Sequence, residues 1–150
     1  LQKRVLRLIH FAPFRSHAIP LFHHCNILPI NLLYFKAVST MMHDVFNNLT
    51  PANISNLFTP SAKVYHYNTR SSTAGNLYVR HSRTEHLKNS FSRIGARIWN
   101  SIPQDCRLLS KNKFKKELHQ NILYILFQED TYVNITTLIN LFKNRFKSYK

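Results

Sequence analysis

With 150 residues, 44% of them apolar and 13% aromatic, the chain is long enough for one domain with a hydrophobic core and is not disordered by composition. Against 21 Lys and Arg stand six acids, a formal charge of +15 that repels itself and points to a polyanionic partner, nucleic acid first. No apolar run approaches the ~20 residues of a membrane-spanning helix, and two distant cysteines, Cys25 and Cys106, exclude a disulfide framework and fit a reducing compartment.

At the amino end Val5, Leu8 and Ile9 share one helical face and Lys3, Arg7 and His10 another, which predicts an amphipathic helix with a buried side and a basic side, closed by Pro13. Arg7 and His10 interrupt VLRLIHFA, so this is not a signal peptide, and the sequons at Asn48, Asn53 and Asn134 are read as chance. The basic, acid-free start has the composition of a mitochondrial presequence, but it opens on Leu1 already inside a helical pattern and is read as the continuation of a longer polypeptide. Pro20 suits the first turn of a short helix through Cys25, which Asn26 can end in a left-handed cap. From Asn31 to Asn48 the residues Leu32, Leu33, Phe35, Val38, Met41, Met42, Val45 and Phe46 make a helix apolar nearly all round, the expected centre of the core.

After Pro51, ANISNLF suits one helical turn, and VYHYNTRS and NLYVRHS, separated by SSTAG, predict a small β-hairpin. Ser92 is then expected to cap a helix with Phe91, Ile94 and Ile98 on one side, Arg93 and Arg97 on the solvent side, and Pro103 just past its end. Following Ser110, a helix points Phe114, Leu118, Ile122 and Ile125 inward and Lys111, Lys115 and Lys116 outward. A last helix from about Asn134 aligns Ile135, Leu138, Ile139, Phe142 and Phe146. The fold class is therefore mainly α, a helical bundle-like domain with a small β-hairpin insertion. Four stretches follow: helices over 1–50, a linker with a short turn over 51–62, a basic region over 63–127, and a terminal amphipathic helix over 128–150.

Charge is concentrated between Lys63 and Lys116, where twelve cations face only Glu85 and Asp105. Chemistry is sparse by contrast. The only adjacent acids, Glu129 and Asp130, sit in a polar link and read as turn and cap residues, not as a two-metal site. Gly75 and Gly95 cannot build a phosphate loop, and His23, His24 and Cys25 have no second ligand pair at zinc spacing, so neither zinc nor a catalytic thiol is expected. What remains is a basic and aromatic mixture. Arg70, Arg80, Arg83, Arg93, Arg97, Lys111, Lys113, Lys115 and Lys116 are candidates for phosphate contact, and Tyr65, Tyr67 and Tyr78 can stack on unpaired bases or pack the hairpin.

Three blocks carry a resemblance: HYNTRSS (66–72), FSRIGARIWNSIPQDCR (91–107) and FKKELHQ (114–120). In that order, preceded by LQKRVLRLIHFAPFRSHAIPLF and CNILPINLLYF, they resemble the carboxy-terminal region of reverse transcriptases from non-LTR (LINE-type) retrotransposons of invertebrate animals. The pattern of Gly95, Trp99, Asn100 and Pro103 is its most specific part, and the likeness covers roughly Leu1 to Ile125. It implies that residues 1–50 are thumb-like and follow a polymerase palm, that the catalytic aspartates and their magnesium belong to that palm, and that this chain holds no catalytic residue, cofactor or metal. It further implies RNA and DNA as partners, no membrane, and a nuclear location. Gly95, Trp99, Asn100 and Pro103 would anchor a short helix to the core while Arg93 and Arg97 face a phosphate backbone. An independent basic nucleic-acid-binding protein, or a non-functional remnant of a mobile element, are the alternatives.

Overall fold

The computed structural model describes residues 1–65, 67, 69, 73–128 and 135–147, without the side chains of 127, 128, 135, 142 and 144–147. These residues form ten helices: α1 (Gln2–Ile9), α2 (Ile19–His24), α3 (Ile30–Phe46), α4 (Ala52–Ser55), α5 (Ser61–Val64), α6 (Glu85–Lys88), α7 (Phe91–Ser101), α8 (Gln104–Arg107), α9 (Lys111–Gln128) and α10 (Ile135–Lys147). The mainly α class expected from the sequence is the class observed.

Three helices end in the same way. Phe11, Asn26 and Asn48 adopt left-handed φ values of 49°, 55° and 57°. Each is followed by an amide that reaches back five residues: Ala12 N–H to Arg7 O at 2.9 Å, Ile27 to Phe22 at 3.0 Å and Leu49 to Asp44 at 2.9 Å. This closure satisfies carbonyls that the helix leaves open, and asparagine tolerates the left-handed corner far better than phenylalanine does. Asn26 was foreseen in this role.

Helix α3 is the axis of the fold. It packs on α7, α9 and α10, while α9 also touches α2 and α8, and α10 lies on α7. One continuous core results, running from Leu6 through Phe22, Phe35, Met42, Ile98, Trp99, Phe114 and Ile122 to Leu138 and Ile139. The sequence segments 1–50 and 63–127 therefore share a single interior. The cover on α3 is not complete: Ile30, Leu33, Tyr34 and Phe46 remain exposed. On α9 the expected Phe114, Leu118, Ile122 and Ile125 are all buried; on α10 Leu138 and Ile139 are, while the side chains of Ile135, Phe142 and Phe146 lie outside the described residues.

Two local expectations change. The face of α1 carrying Val5, Leu8 and Ile9 is exposed and Leu6 alone is buried, because α1 packs mainly on α2. The hairpin is reduced, among the described residues, to one antiparallel bridge between Pro60 and Leu77. Pro60 leads directly into α5, so Val64, the first residue of the supposed first strand, is helical. His66, Asn68, Arg70 and Ser71 of that strand lie outside the described residues. Helix α7 also starts two residues earlier than Ser92 suggested, with Ser90 at its cap position.

Gly95, on the α7 face that meets α3, is closely packed. A Cβ there would stand 2.8 Å from Met42 Sδ and 3.1 Å from the Phe58 ring. Gly95→Ala gains helix propensity worth about 1 kcal/mol, yet overpacking a filled contact costs ~1–3 kcal/mol. Urea unfolding of this variant should show a net loss of about 1 kcal/mol; a gain would mean that α7 and α3 do not touch as described.

Candidate nucleic-acid interface

The segment WNSIPQDCR builds the platform on which the basic surface stands. Trp99 is fully buried, its ring centroid 5.1 Å from that of Phe46, and its indole N–H has no partner among the described residues. One residue on, Asn100 presents a carboxamide to the extended chain: Leu77 N–H donates to Oδ1 at 2.8 Å, and Nδ2 donates to Leu77 O at 2.8 Å. A side chain thus stands in for a neighbouring strand. Pro103 caps α8, where its missing N–H costs nothing.

Arg107, at the end of α8, is a cation the sequence gives no reason to single out. Only 6% exposed, it donates from Nε to Ile102 O at 2.8 Å, from Nη1 to Ala74 O at 3.1 Å and from Nη2 to Asn76 Oδ1 at 3.0 Å, with its guanidinium carbon 5.2 Å from the Trp99 ring centre. Burial lowers its pKa to about 10, so it stays charged at neutral pH, held by carbonyl dipoles and the indole face. Arg107 therefore serves the interior. Its spacing of eight from Trp99 is visible in the sequence, but nothing there distinguishes a buried arginine from an exposed one.

Another buried polar residue positions the lysines. His43, on α3, lies 2.9 Å by Nε2 from Leu109 O and stacks on Phe114 with ring centroids 4.5 Å apart. It pins the start of α9 to the axis helix. The sequence pattern places His43 among apolar neighbours without a role.

The expected cations divide into three groups. Arg80, Arg83, Lys113, Lys115 and Lys116 are exposed. Lys111 is exposed too, but its ammonium pairs with Asp44 Oδ2 at 2.8 Å, so its charge is largely offset. Arg93 and Arg97 are half-buried, with Arg93 Nε enclosed and unpartnered among the described residues. The solvent-side assignment of this pair is thereby corrected: the short helix α7 meets α3, α6 and α10, and its polar side is partly covered. Arg70 lies outside the described residues. Tyr67 is exposed, while Tyr65 and Tyr78 meet edge to face with centroids 6.2 Å apart, so this pair packs ring on ring.

Lys111, Lys113, Lys115 and Lys116 crowd the beginning of α9, with no acid in its first turn. Backbone amides already make a helix amino end positive, so cations there are unfavourable by a few tenths of a kcal/mol each. Such a concentration does not stabilise the helix and makes this end of α9 locally positive. Reactive groups are few by comparison. The Cys106 thiol has its pKa raised by burial, then by Glu117 and Asp105, which suppresses its thiolate. The cleft of about 320 Å³ beside Met42, Phe58 and Trp99 has Lys63 as its single titratable lining residue.

Compared with family models, with curated proteins and with solved structures, the chain has no match.

Asn100→Ala should cost ~1–3 kcal/mol, since both polar groups of the Leu77 peptide lose their partner in a half-buried site; chemical denaturation measures it, and a change below ~0.5 kcal/mol would show the clamp to be dispensable. A pH effect follows from His119, whose pKa is lowered from 6.5 by burial and then by the charge of Lys36, with Lys36 Nζ 3.3 Å from Nδ1. The unfolded chain protonates this imidazole first. Its contribution is thus fully present above the unfolded value of 6.5 and is lost as pH falls through the lower folded value. Melting at pH 7.5 and 5.5 should show reduced stability at 5.5, and Lys36→Met should flatten that dependence; a variant with an undiminished slope would refute the coupling.

Proposed function

We propose that this chain is a non-catalytic, nucleic-acid-gripping carboxy-terminal segment of an RNA-directed DNA polymerase, of the non-LTR retrotransposon type. The observation that carries the gripping role is the lysine cluster at the start of α9, where side-chain charge and helix dipole have the same sign and Asp44 offsets Lys111 alone. Exposed Arg80 and Arg83 add charge on the chain leading to α6. Phosphate recognition of this kind is electrostatic and sequence-tolerant, suited to holding a template and primer duplex or an element RNA.

The polymerase assignment rests on the motif resemblance. Gly95, Trp99, Asn100 and Pro103, which carry it, lie in the part of the fold that fixes α7 and α8 against α3. The uncovered apolar face of α1, with Val5, Leu8 and Ile9, is where an upstream palm would pack in this reading. Chemistry would then belong to the palm and its magnesium, and this chain would supply affinity.

A salt titration of binding to duplex tests the gripping role. Replacing Lys113, Lys115 and Lys116 together by Gln should reduce the log–log salt slope by about 2.7, at roughly 0.9 for each phosphate no longer neutralised. All three are exposed, so the thermal melt should hold or rise slightly as repulsion at the helix end is relieved. An unchanged slope in a folded variant would remove the cluster from the interface. Arg93→Gln with Arg97→Gln is a poorer probe, because those half-buried side chains should shift the melt as well.

A further inference from the structure

The ends of α1 and α2 meet, and they bring together three side chains that ligate metals. His10 Nε2 lies 2.7 Å from Cys25 Sγ, and the His10 and His24 rings stand edge to face with centroids 5.0 Å apart. One ligand atom from each of His10, His24 and Cys25 lies within 4.8 Å of the others. His10 and Cys25 occupy the closing positions of their helices, and each precedes one of the left-handed corners, Phe11 and Asn26. At His10 that corner is adopted by a phenylalanine 96% exposed, an unfavourable conformation that packing does not repay.

We propose that His10, His24 and Cys25 bind a zinc ion that clips α1 to α2. Two imidazoles and a thiolate are a borderline-soft donor set, suited to zinc and not to magnesium or calcium. Zinc–nitrogen distances of ~2.0–2.1 Å and a zinc–sulfur distance of ~2.3 Å place tetrahedral ligand atoms roughly 3.3–3.6 Å apart. The observed cluster brackets that spacing, so adjustments of about 1 Å, within reach of side-chain torsions, complete it. Cys25 gives up its thiol proton to solvent on binding, both imidazoles bind neutral, and water fills the fourth position on the exposed His24 side.

The fold gives the clip a purpose. Helix α1 buries only Leu6, and its polar ties include Gln2 to Leu28 O and the Ile30 amide, and Arg7 Nε to Ser16 O. Its carboxyl end is held by Arg7 to Ser16 O and, through His10, by the Cys25 and His24 side chains of α2 and its cap. A metal at His10 would fix that end and with it the direction of the basic amino-terminal helix. The sequence hid the site because His10 stands well before the His24 and Cys25 pair, outside zinc-finger spacing. The inference is independent of the nucleic-acid reading.

Cobalt is the probe. Titrating Co²⁺ into the reduced, chelator-treated full chain should give a one-to-one thiolate-to-cobalt charge-transfer band, which Zn²⁺ abolishes by displacement. Cys25→Ser should remove the band and Cys106→Ser should retain it. His24→Ala alters an exposed side chain and leaves the fold intact, so it should weaken affinity about tenfold or more. Zinc should also raise the melting temperature of the wild type and not of Cys25→Ser. Absence of the band, its survival in Cys25→Ser or undiminished affinity in His24→Ala would each overturn the site.

Discussion

The structure depends on how closely α7 can lie against α3. Gly95 sets that distance, because any larger residue would push on Met42 and Phe58, and the approach it allows lets Ile98 and Trp99 enter the core. From there the consequences run outward. Trp99 supports the Arg107 guanidinium, Arg107 gathers the carbonyls of Ala74 and Ile102, and Asn100 holds the Leu77 peptide. A short motif thus organises chain from three regions. Its two polar members, Asn100 and Arg107, spend their hydrogen bonds within the fold, on backbone groups and on Asn76 Oδ1, which makes the motif a device of assembly.

The basic residues obey a different logic. Arg107 is interior, Arg93 and Arg97 are half-buried, and Lys111 is paired, so the total charge overstates what is presented to a partner. Among the exposed cations, Lys113, Lys115 and Lys116 gather near the amino end of α9, Arg80 and Arg83 lie on the chain before α6, and Arg4, Arg15, Lys63 and Lys143 are spread elsewhere. Positive charge gathered on a helix amino end lowers stability and makes the local field positive.

Long periodic elements were legible in the sequence. The inward stripe of α9, the centrality of α3 and the Asn26 cap follow from spacing and from what asparagine permits. Elsewhere tertiary contacts decided. Nothing local shows that Val5, Leu8 and Ile9 would stay exposed, since periodicity gives a face but not a neighbour for it. The aromatic run near Tyr65 has strand propensity, but Pro60 starts α5 and Asn100 takes the pairing that a second strand would have used. Arg93 and Arg97 look solvent-facing on a helical wheel; α6 and α10, which crowd α7, come from elsewhere in the chain. His43 and Arg107, each bonded across more than 30 residues, have no local signature at all.

The Asn100 clamp also bears on self-association. Leu77 turns its N–H and C=O to the carboxamide, while on the other side the Asn76 carbonyl accepts from Ser61 and the Tyr78 amide donates to Thr59. Both edges of this extended segment are therefore occupied over its central residues. An unpaired edge invites another chain to add a strand, and aromatic, β-branched text such as NLYV is a strong invitation. Capping one edge with a helix side chain and the other with the turn into α5 removes that template, so a chain that leaves apolar surface on α1 does not also offer a seed for cross-β growth here.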